Sequence, residues 1–435
     1  MKQESSETER QPAPHPGSEP GKPRWWPRVA VRKRRRPEAA PPVWAVVDPG
    51  STVLRVLVLA PGGAESVICG WAEEPLAHRA GRAAGEAAGV EQAFEAALTA
   101  AEAMAEQKAD RVRPADQIVV GLPAWQTRGW AASVTQRRAH PTREIEEREL
   151  EALLARGLRL AVNRLTDSGD RAWTLLDAVP VALGVDGQGV TDPVGFRGRE
   201  MTASVFAAVA PAATIAAWRE RSEKSAFGSL TLTAGPLALA ACPNGPQGLV
   251  LDIGGAHTAA LWWRAGRPLA TSSVDVGSRL LTECLSRKWG LSSEKAETLQ
   301  RAFAAGHLAA EVRGQIVEAM EPALAVWFQS VEGMLAEMQA GADQPLPHRL
   351  LICGGGSSVP AMAETARGLV LSQRLVFERY PELDRLRPED VPGIVNRTES
   401  GQGPGDVSAL ALAAWAVRSM EPPGRPMRVL GRLCQ

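Results

Sequence analysis

Val43-Trp44-Ala45-Val46-Val47-Asp48-Pro49-Gly50-Ser51-Thr52 is an apolar run that stops at an aspartate and a glycine turn. The same pattern returns as Gly248-Leu249-Val250-Leu251-Asp252-Ile253-Gly254-Gly255. A third run, Arg349-Leu350-Leu351-Ile352-Cys353-Gly354-Gly355-Gly356-Ser357, closes with glycines and carries no acid. Any one of these is also how an ordinary hairpin is written, because glycine supplies positive φ and aspartate accepts from turn amides. Their order and strand context together point further. Amides in glycine turns bind phosphate oxygens, and Mg²⁺ prefers carboxylates, waters and phosphates to an all-protein cage. Two facing Asp-Gly turns can cradle a polyphosphate and its metal, and a later glycine turn lets a flat nucleoside approach the backbone.

Working outward, each of the first two turns is followed by a returning strand. Leu54–Leu59 returns after the first, and a hairpin over Ala259–Val276 follows the second. The spacing predicts helices over Gly89–Gln107, Glu144–Arg164, Ala212–Arg221, residues 236–242, Ser278 to about Ala340 and Val407–Met420. Further strands fall at Gln117–Leu122, Trp173–Val185, Met201–Val209 and Leu230–Leu232. Strands alternating with helices, and a pattern recurring in both halves, give an α/β protein of two related lobes around a cleft. Strand alternation places one of Trp262 and Trp263 in the core and the other toward solvent.

Bulk properties narrow the classes. At 435 residues the chain is long enough for two or three cores. Lys plus Arg and Asp plus Glu are both 49, so no global charge bias favours nucleic acid. No apolar run approaches the ~20 residues of a membrane span. The five cysteines lack CxxC spacing and the six histidines lack HExxH spacing, which argues for a reducing cytoplasm and against structural zinc. Residues 1–42 read as a disordered, Pro-rich basic tail. Within it, Lys22-Pro23-Arg24-Trp25-Trp26-Pro27-Arg28 and Arg32-Lys33-Arg34-Arg35-Arg36 suit an anionic lipid surface as well as a solubilising tail.

These motifs resemble the actin-like ATPase superfamily, and within it the FtsA family of bacterial cell-division proteins. Asp48-Pro49-Gly50-Ser51-Thr52 is similar to the family's first phosphate loop, Asp252-Ile253-Gly254-Gly255-Ala256 to its second, and Gly354-Gly355-Gly356-Ser357 to its adenosine loop. Gln117–Leu122, the helix around Leu150–Val162, and Asp192-Pro193-Val194-Gly195-Phe196-Arg197-Gly198 look like the small α+β subdomain that FtsA proteins insert in the first lobe. The resemblance divides the chain into a first lobe (43–116, 211–246 and the helix 404–421), the insert (117–210) and a second lobe (247–403). It implies ATP and Mg²⁺ as cofactors, with Asp48 and Asp252 organising the metal directly or through water. It further implies that Gly50, Ser51, Thr52, Gly254 and Gly255 hold phosphates, and that Glu297 with Gly354, Gly355, Gly356 and Ser357 frames the nucleoside.

By the same resemblance the protein is a cytoplasmic, membrane-peripheral scaffold that tethers FtsZ filaments by their C-terminal tail, recruits later division proteins through the insert, and self-associates into filaments. Asp275-Val276-Gly277 through Leu281-Thr282-Glu283 reads as much like the PilM family of pilus-assembly proteins, and a sugar kinase would share the lobes. Several positions depart from the family. Val53 follows the first loop where a polar residue is usual. His257 stands in the second loop, weighed as a turn residue against a phosphate contact. Gln300 replaces a lysine, and Gly235-Pro236-Leu237-Ala238 offers no acid or amide to orient water. Without one, attack on a γ-phosphate loses much of its catalysis, which implies binding with weak or absent turnover. The tail 422–435 reads as a short amphipathic anchor, with Met427, Leu430 and Leu433 on one face and Arg428 and Arg432 opposite.

Overall fold

The computed structural model describes residues 42–434 apart from 63–64, 77–82, 109–113, 167–171, 226, 243–246 and 265. The basic, tryptophan-bearing segments at 22–36 lie outside the described residues.

The first apolar run forms β1 (Trp44–Pro49), and the turn after Asp48 returns the chain as antiparallel β2 (Val53–Gly62), then β3 (Glu65–Pro75). Helix α1 (Ala83–Lys108) covers this meander and leads to β4 (Gln117–Leu122), parallel to β1. The insert follows: β5 (Arg128–Arg137), α2 (Glu147–Thr166), β6 (Trp173–Val185), β7 (Gln188–Gly189) and β8 (Glu200–Pro211). The chain then re-enters the first lobe through α3 (Ala212–Lys224), β9 (Ser229–Ala234) and α4 (Gly235–Ala238), with β9 parallel to β4. Gln117–Leu122 therefore belongs to the first-lobe sheet, and the insert's own strands begin after it.

The second lobe repeats the plan. β10 (Gln247–Ile253), β11 (Thr258–Arg264) and β12 (Arg267–Val274) form an antiparallel meander. Helices α5 (Arg279–Trp289), α6 (Ser293–Ala304) and α7 (Ala310–Ala342) lead to β13 (Arg349–Cys353), parallel to β10. After α8 (Pro360–Gly368) comes β14 (Glu382–Arg385), parallel to β13. The chain returns to the first lobe with β15 (Ile394–Asn396) and α9 (Val407–Ser419), and ends in α10 (Arg425–Leu433).

The sheet orders are β15-β3-β2-β1-β4-β9 and β14-β13-β10-β11-β12-β5-β8-β6-β7. The run β3-β2-β1-β4-β9 matches β12-β11-β10-β13-β14 strand for strand, so Asp48 and Asp252 close equivalent strands. The insert adds its antiparallel strands at the free edge of β12 through Trp130 opposite Ala270 and Gly129 opposite Thr271.

Alanine-rich α9 lies between the sheets. Its Ala409, Ala411, Ala413 and Leu412 share one core with Val46, Leu57 and Val119 of the first sheet and Val250, Leu261 and Trp263 of the second. Small side chains permit this close approach at interior packing density. At Gly121 a Cβ would stand 2.8 Å from Leu412. Trp262 and Trp263 do alternate, yet both are fully buried, at 1% and 0% exposure. Trp262 packs beneath Trp327 of α7, and Trp263 enters the α9 core. Both faces of this sheet are covered, so alternation moves a side chain from one core to another and not to water.

Candidate functional site

The cleft between the lobes contains a cavity of about 200 Å³ where the ends of β1 and β10 meet. Asp48, Gly50, Ser51 and Thr52 line it from the first lobe, Asp252, Gly254, Gly255, Gly354 and Gly355 from the second, and Gly405 and Ser408 from the entry to α9. Three separated segments thus converge as the sequence predicts.

The turns touch each other. The Ala256 amide donates to Ser51 Oγ across the lobes at 3.0 Å, and Ser51 is buried. The Gly50 amide is taken up within its own turn by the carbonyls of Asp48 and Val53, the Gly254 amide by His257 O, and the Gly354 amide by Pro404 O. Those three glycines shape the turns. The positions that follow them, Ser51, Thr52, Gly255 and Gly355, all lie on the cavity wall. The second loop is held from behind, because Ser278 and Arg279 at the start of α5 donate to the carbonyls of Gly254 and Gly255 at 2.9 and 2.8 Å.

Gly356 and Ser357 do not line the cavity. Ser357 is fully buried, and its hydroxyl donates to Gly354 O at 2.7 Å, so it braces the glycine turn. Glu297 sits on the exposed face of α6, whose Ala296 and Phe303 face the core, and it is absent from the cavity wall. Gln300, one turn further along, is hydrogen-bonded with Thr282 of α5.

Sequence reasoning missed the principal cation. Arg55 on β2 stands opposite Asp48 in the hairpin register, lines the cavity, and bonds Asp406 at 3.1 Å and Glu73 at 3.2 Å through Nε. The signal was there: a tight hairpin after Asp48 pairs it with the residue seven positions on. Ser408 was missed as well. It donates to Asp252 Oδ2 at 2.6 Å from a position 156 residues away.

Burial pushes the Asp48 carboxyl up to about 6, against the opposing pull of Arg55, with Asp252, Asp406 and Glu73 adding to the rise. Asp252 and Asp406 are raised too, again chiefly by burial, although the Ser408 hydrogen bond and Arg55 counter it at Asp252. Carboxylates that burial holds back from ionising gain from a cation. Among the described residues no group of three or more His, Cys, Asp or Glu converges tightly enough to cage an ion. The donor set fits Mg²⁺ held through water and phosphate, with Asp48 and Asp252 as the protein's share.

The same shift sets a pH dependence. Between an ordinary 3.8 and about 6 the folded protein keeps a proton on Asp48 that the unfolded chain has released, so stability falls as pH rises through that window. At 1.36 kcal/mol per pKa unit the loss is about 3 kcal/mol. Urea denaturation of the ligand-free protein at pH 4 and pH 7 is expected to show it, and Asp48→Asn to flatten it. An equal slope in the variant would contradict the assignment.

His257 lines the cavity, but its ring is engaged elsewhere. It stacks on Trp125 with centroids 4.2 Å apart and planes at 12°, and its Nδ1 lies 3.1 Å from Asp275 Oδ1. Trp125 follows β4 in the first lobe, so this stack also bridges the lobes. Trp125 and Ala124 also wall a neighbouring cavity of about 380 Å³ between β5, β12 and α7.

No protein-family model and no curated protein matches the sequence. Solved structures do. The chain is similar to a structure of the PilM–PilN type IV pilus biogenesis complex at 19% identity and a TM-score of 0.59, covering 86% of this chain and 98% of that one. It is also similar to the ethanolamine utilization protein EutJ from Carboxydothermus hydrogenoformans (15% identity, TM-score 0.46, 87% and 92% covered). A third is MreB5 of Spiroplasma citri bound to AMPPNP (10% identity, TM-score 0.41, 88% and 97% covered). The duplicated lobes around a shared helix, with the insert on the edge of β12, are an actin-like ATPase fold. Among the described residues no helix is long and apolar enough to cross a membrane.

Proposed function

We propose that this protein is an ATP-binding, actin-like scaffold of a membrane-attached assembly, closer in role to PilM than to an enzyme. The observation that carries the nucleotide reading is the meeting of two equivalent strand ends, Asp48 and Asp252, over one cavity with Arg55 on its wall. In this reading the turns at Ser51, Thr52 and Gly255 would hold phosphate oxygens, the turn at Gly355 would face the nucleoside, and the two aspartates would hold Mg²⁺ directly or through water. Bound Mg²⁺ supplies charge neutralisation of the phosphates. Nothing on the described cavity wall is a glutamate or glutamine, which supports retention of ATP over its turnover.

The scaffold role is supported by the match across 98% of a chain from the PilM–PilN complex, the one comparison reported above whose superposition is close enough to carry weight. A second reading, tethering of FtsZ in cell division, is supported by the Asp192–Gly198 loop on which the FtsA resemblance rests. That loop is built into the insert: Gly195 has φ +90° and donates to Ile145 O, and Ile145 donates to Phe196 O. Membrane contact through basic terminal segments belongs to both readings. Titration with a fluorescent ATP analogue and Mg²⁺ tests the cleft, with saturable, Mg²⁺-dependent binding expected. No binding at millimolar nucleotide would sink the reading. Co-sedimentation with FtsZ or pull-down with PilN then separates the two roles.

A further inference from the structure

The C-terminal segment has the make-up of an interfacial helix, and the structure finds its apolar face already occupied. In α10, Pro426 is buried, and Val429 and Leu430 are fully buried against the insert. Val429 and Leu430 join the core formed by Leu150, Leu153, Leu154 and Leu158 of α2 and the strands beneath, with Leu433 and Cys434 packed alongside. Of the expected lipid-facing residues, Leu430 is thus held inside the protein, while Leu433 and Met427 are half-buried. The arginines are met as well. Arg432 pairs with Glu147 at the start of α2, and Arg425 with Asp192 of the Asp-Pro-Val-Gly loop at 3.4 Å. Arg428 donates to Pro423 O at 2.8 Å. Glu147 and Asp192 therefore occupy the guanidinium groups that lipid phosphates would otherwise take.

This docking is built to be shallow. A helix this short does not hold its shape alone in water. Two fully buried aliphatic side chains are set against the ordering of the whole segment, and the two effects are of similar size. The ion pairs are at least one-third exposed on almost every partner and add little. Residues 421–424, Glu-Pro-Pro-Gly, are exposed and link α10 to α9. An anionic bilayer offers the same helix a larger apolar phase and denser negative charge.

We propose that α10 is a self-docked membrane helix: the insert and an anionic lipid surface compete for one face, so the anchor is sequestered until the insert releases it. The proposal rests on the membrane-associated reading above. The test uses the full chain, flotation with phosphatidylglycerol–phosphatidylcholine vesicles, and pure phosphatidylcholine as control. Glu147→Gln with Asp192→Asn removes both ion pairs without touching the helix, and is expected to raise anionic-vesicle binding about fivefold, the effect of roughly two exposed ion pairs. Deleting 422–435 from that variant is expected to remove the gain. In the wild-type chain, hydrogen exchange at Leu150–Leu158 should quicken when anionic vesicles are added, which reads release without any substitution. Equal binding by wild type and the double variant, with no change in exchange, overturns sequestration while leaving lipid binding intact. Absence of vesicle binding by every form overturns the membrane reading and the proposal together.

Discussion

Arg55→Met is expected to destabilise the ligand-free protein by about 3 kcal/mol or more at pH 7.5, the scale of removing one partner from a buried ion pair. The side chain is 16% exposed and its partner Asp406 13%, so water screens the pair little. Arg55 is also the cation that opposes the rise at Asp48 and Asp252. Without it, carboxyls already raised by burial face one another with no positive charge among them. Their folded-state pKa values rise further, so more stability is lost as pH increases, and the penalty should shrink at pH 5, where they take up protons. Mg²⁺ should restore part of the loss at pH 7.5 by supplying the missing charge. Urea denaturation at both pH values, with and without Mg²⁺, checks this. A loss independent of pH and Mg²⁺ would reduce Arg55 to a packing residue. Arg55→Lys should fall between, because an ammonium keeps the charge but lacks the Nε–H that Asp406 and Glu73 share.

Arg55 also marks where the sequence stops being legible. The turns at Asp48, Asp252 and Gly354 could be read because each is local: an apolar run, an acid or glycine, and a change of direction within a few residues. The lobes followed from the recurrence of that pattern, and the hairpin after Asp252 from its alternation. The partners of those turns are not local. Asp406 meets Arg55 from 351 positions away, and Ser408 reaches Asp252 from α9. No spacing rule connects them until the chain has crossed between lobes. Strand β5, Arg-Gly-Trp-Ala-Ala-Ser-Val-Thr-Gln-Arg, was missed because it carries few large apolar residues and takes its place from pairing with β8 and β12. Amphipathic periodicity placed Met427, Leu430 and Leu433 on one face of α10, yet the fully buried pair is Val429 and Leu430, because the insert that covers the helix is remote in sequence. The same limit applied to Trp262 and Trp263, since alternation gives direction without saying whether water or another layer lies there. Glu297 illustrates the converse: it was assigned by resemblance, yet it lies on the exposed side of its helix, away from the cavity wall.

Gly354→Ala is expected to damage both fold and site, and Gly355→Ala the site alone. Gly354 has φ +83° and ψ 160°, a region that is essentially glycine-only. A Cβ there would stand 2.3 Å from Asp252 Oδ1 and 2.5 Å from Ile253 O. The first contact is with a carboxylate fixed by Ser408 at 2.6 Å, and the second is with backbone in the centre of the sheet, so neither can yield cheaply. Backbone strain and overpacking together should cost about 3 kcal/mol. Displacing Asp252 should also weaken Mg²⁺-dependent nucleotide binding by at least about tenfold, the equivalent of one charge-assisted hydrogen bond. Gly355 has no positive φ, and its Cβ would meet nothing within 4 Å. Alanine there should leave the urea midpoint unchanged, yet its methyl projects from a residue on the cavity wall and should crowd the nucleotide. Stability and nucleotide affinity are therefore expected to fall together at position 354 and to separate at 355. Equal stability of the two variants would mean that the close approach of Gly354 to Asp252 does not exist in solution. Unchanged affinity in Gly355→Ala would place the nucleoside away from this turn.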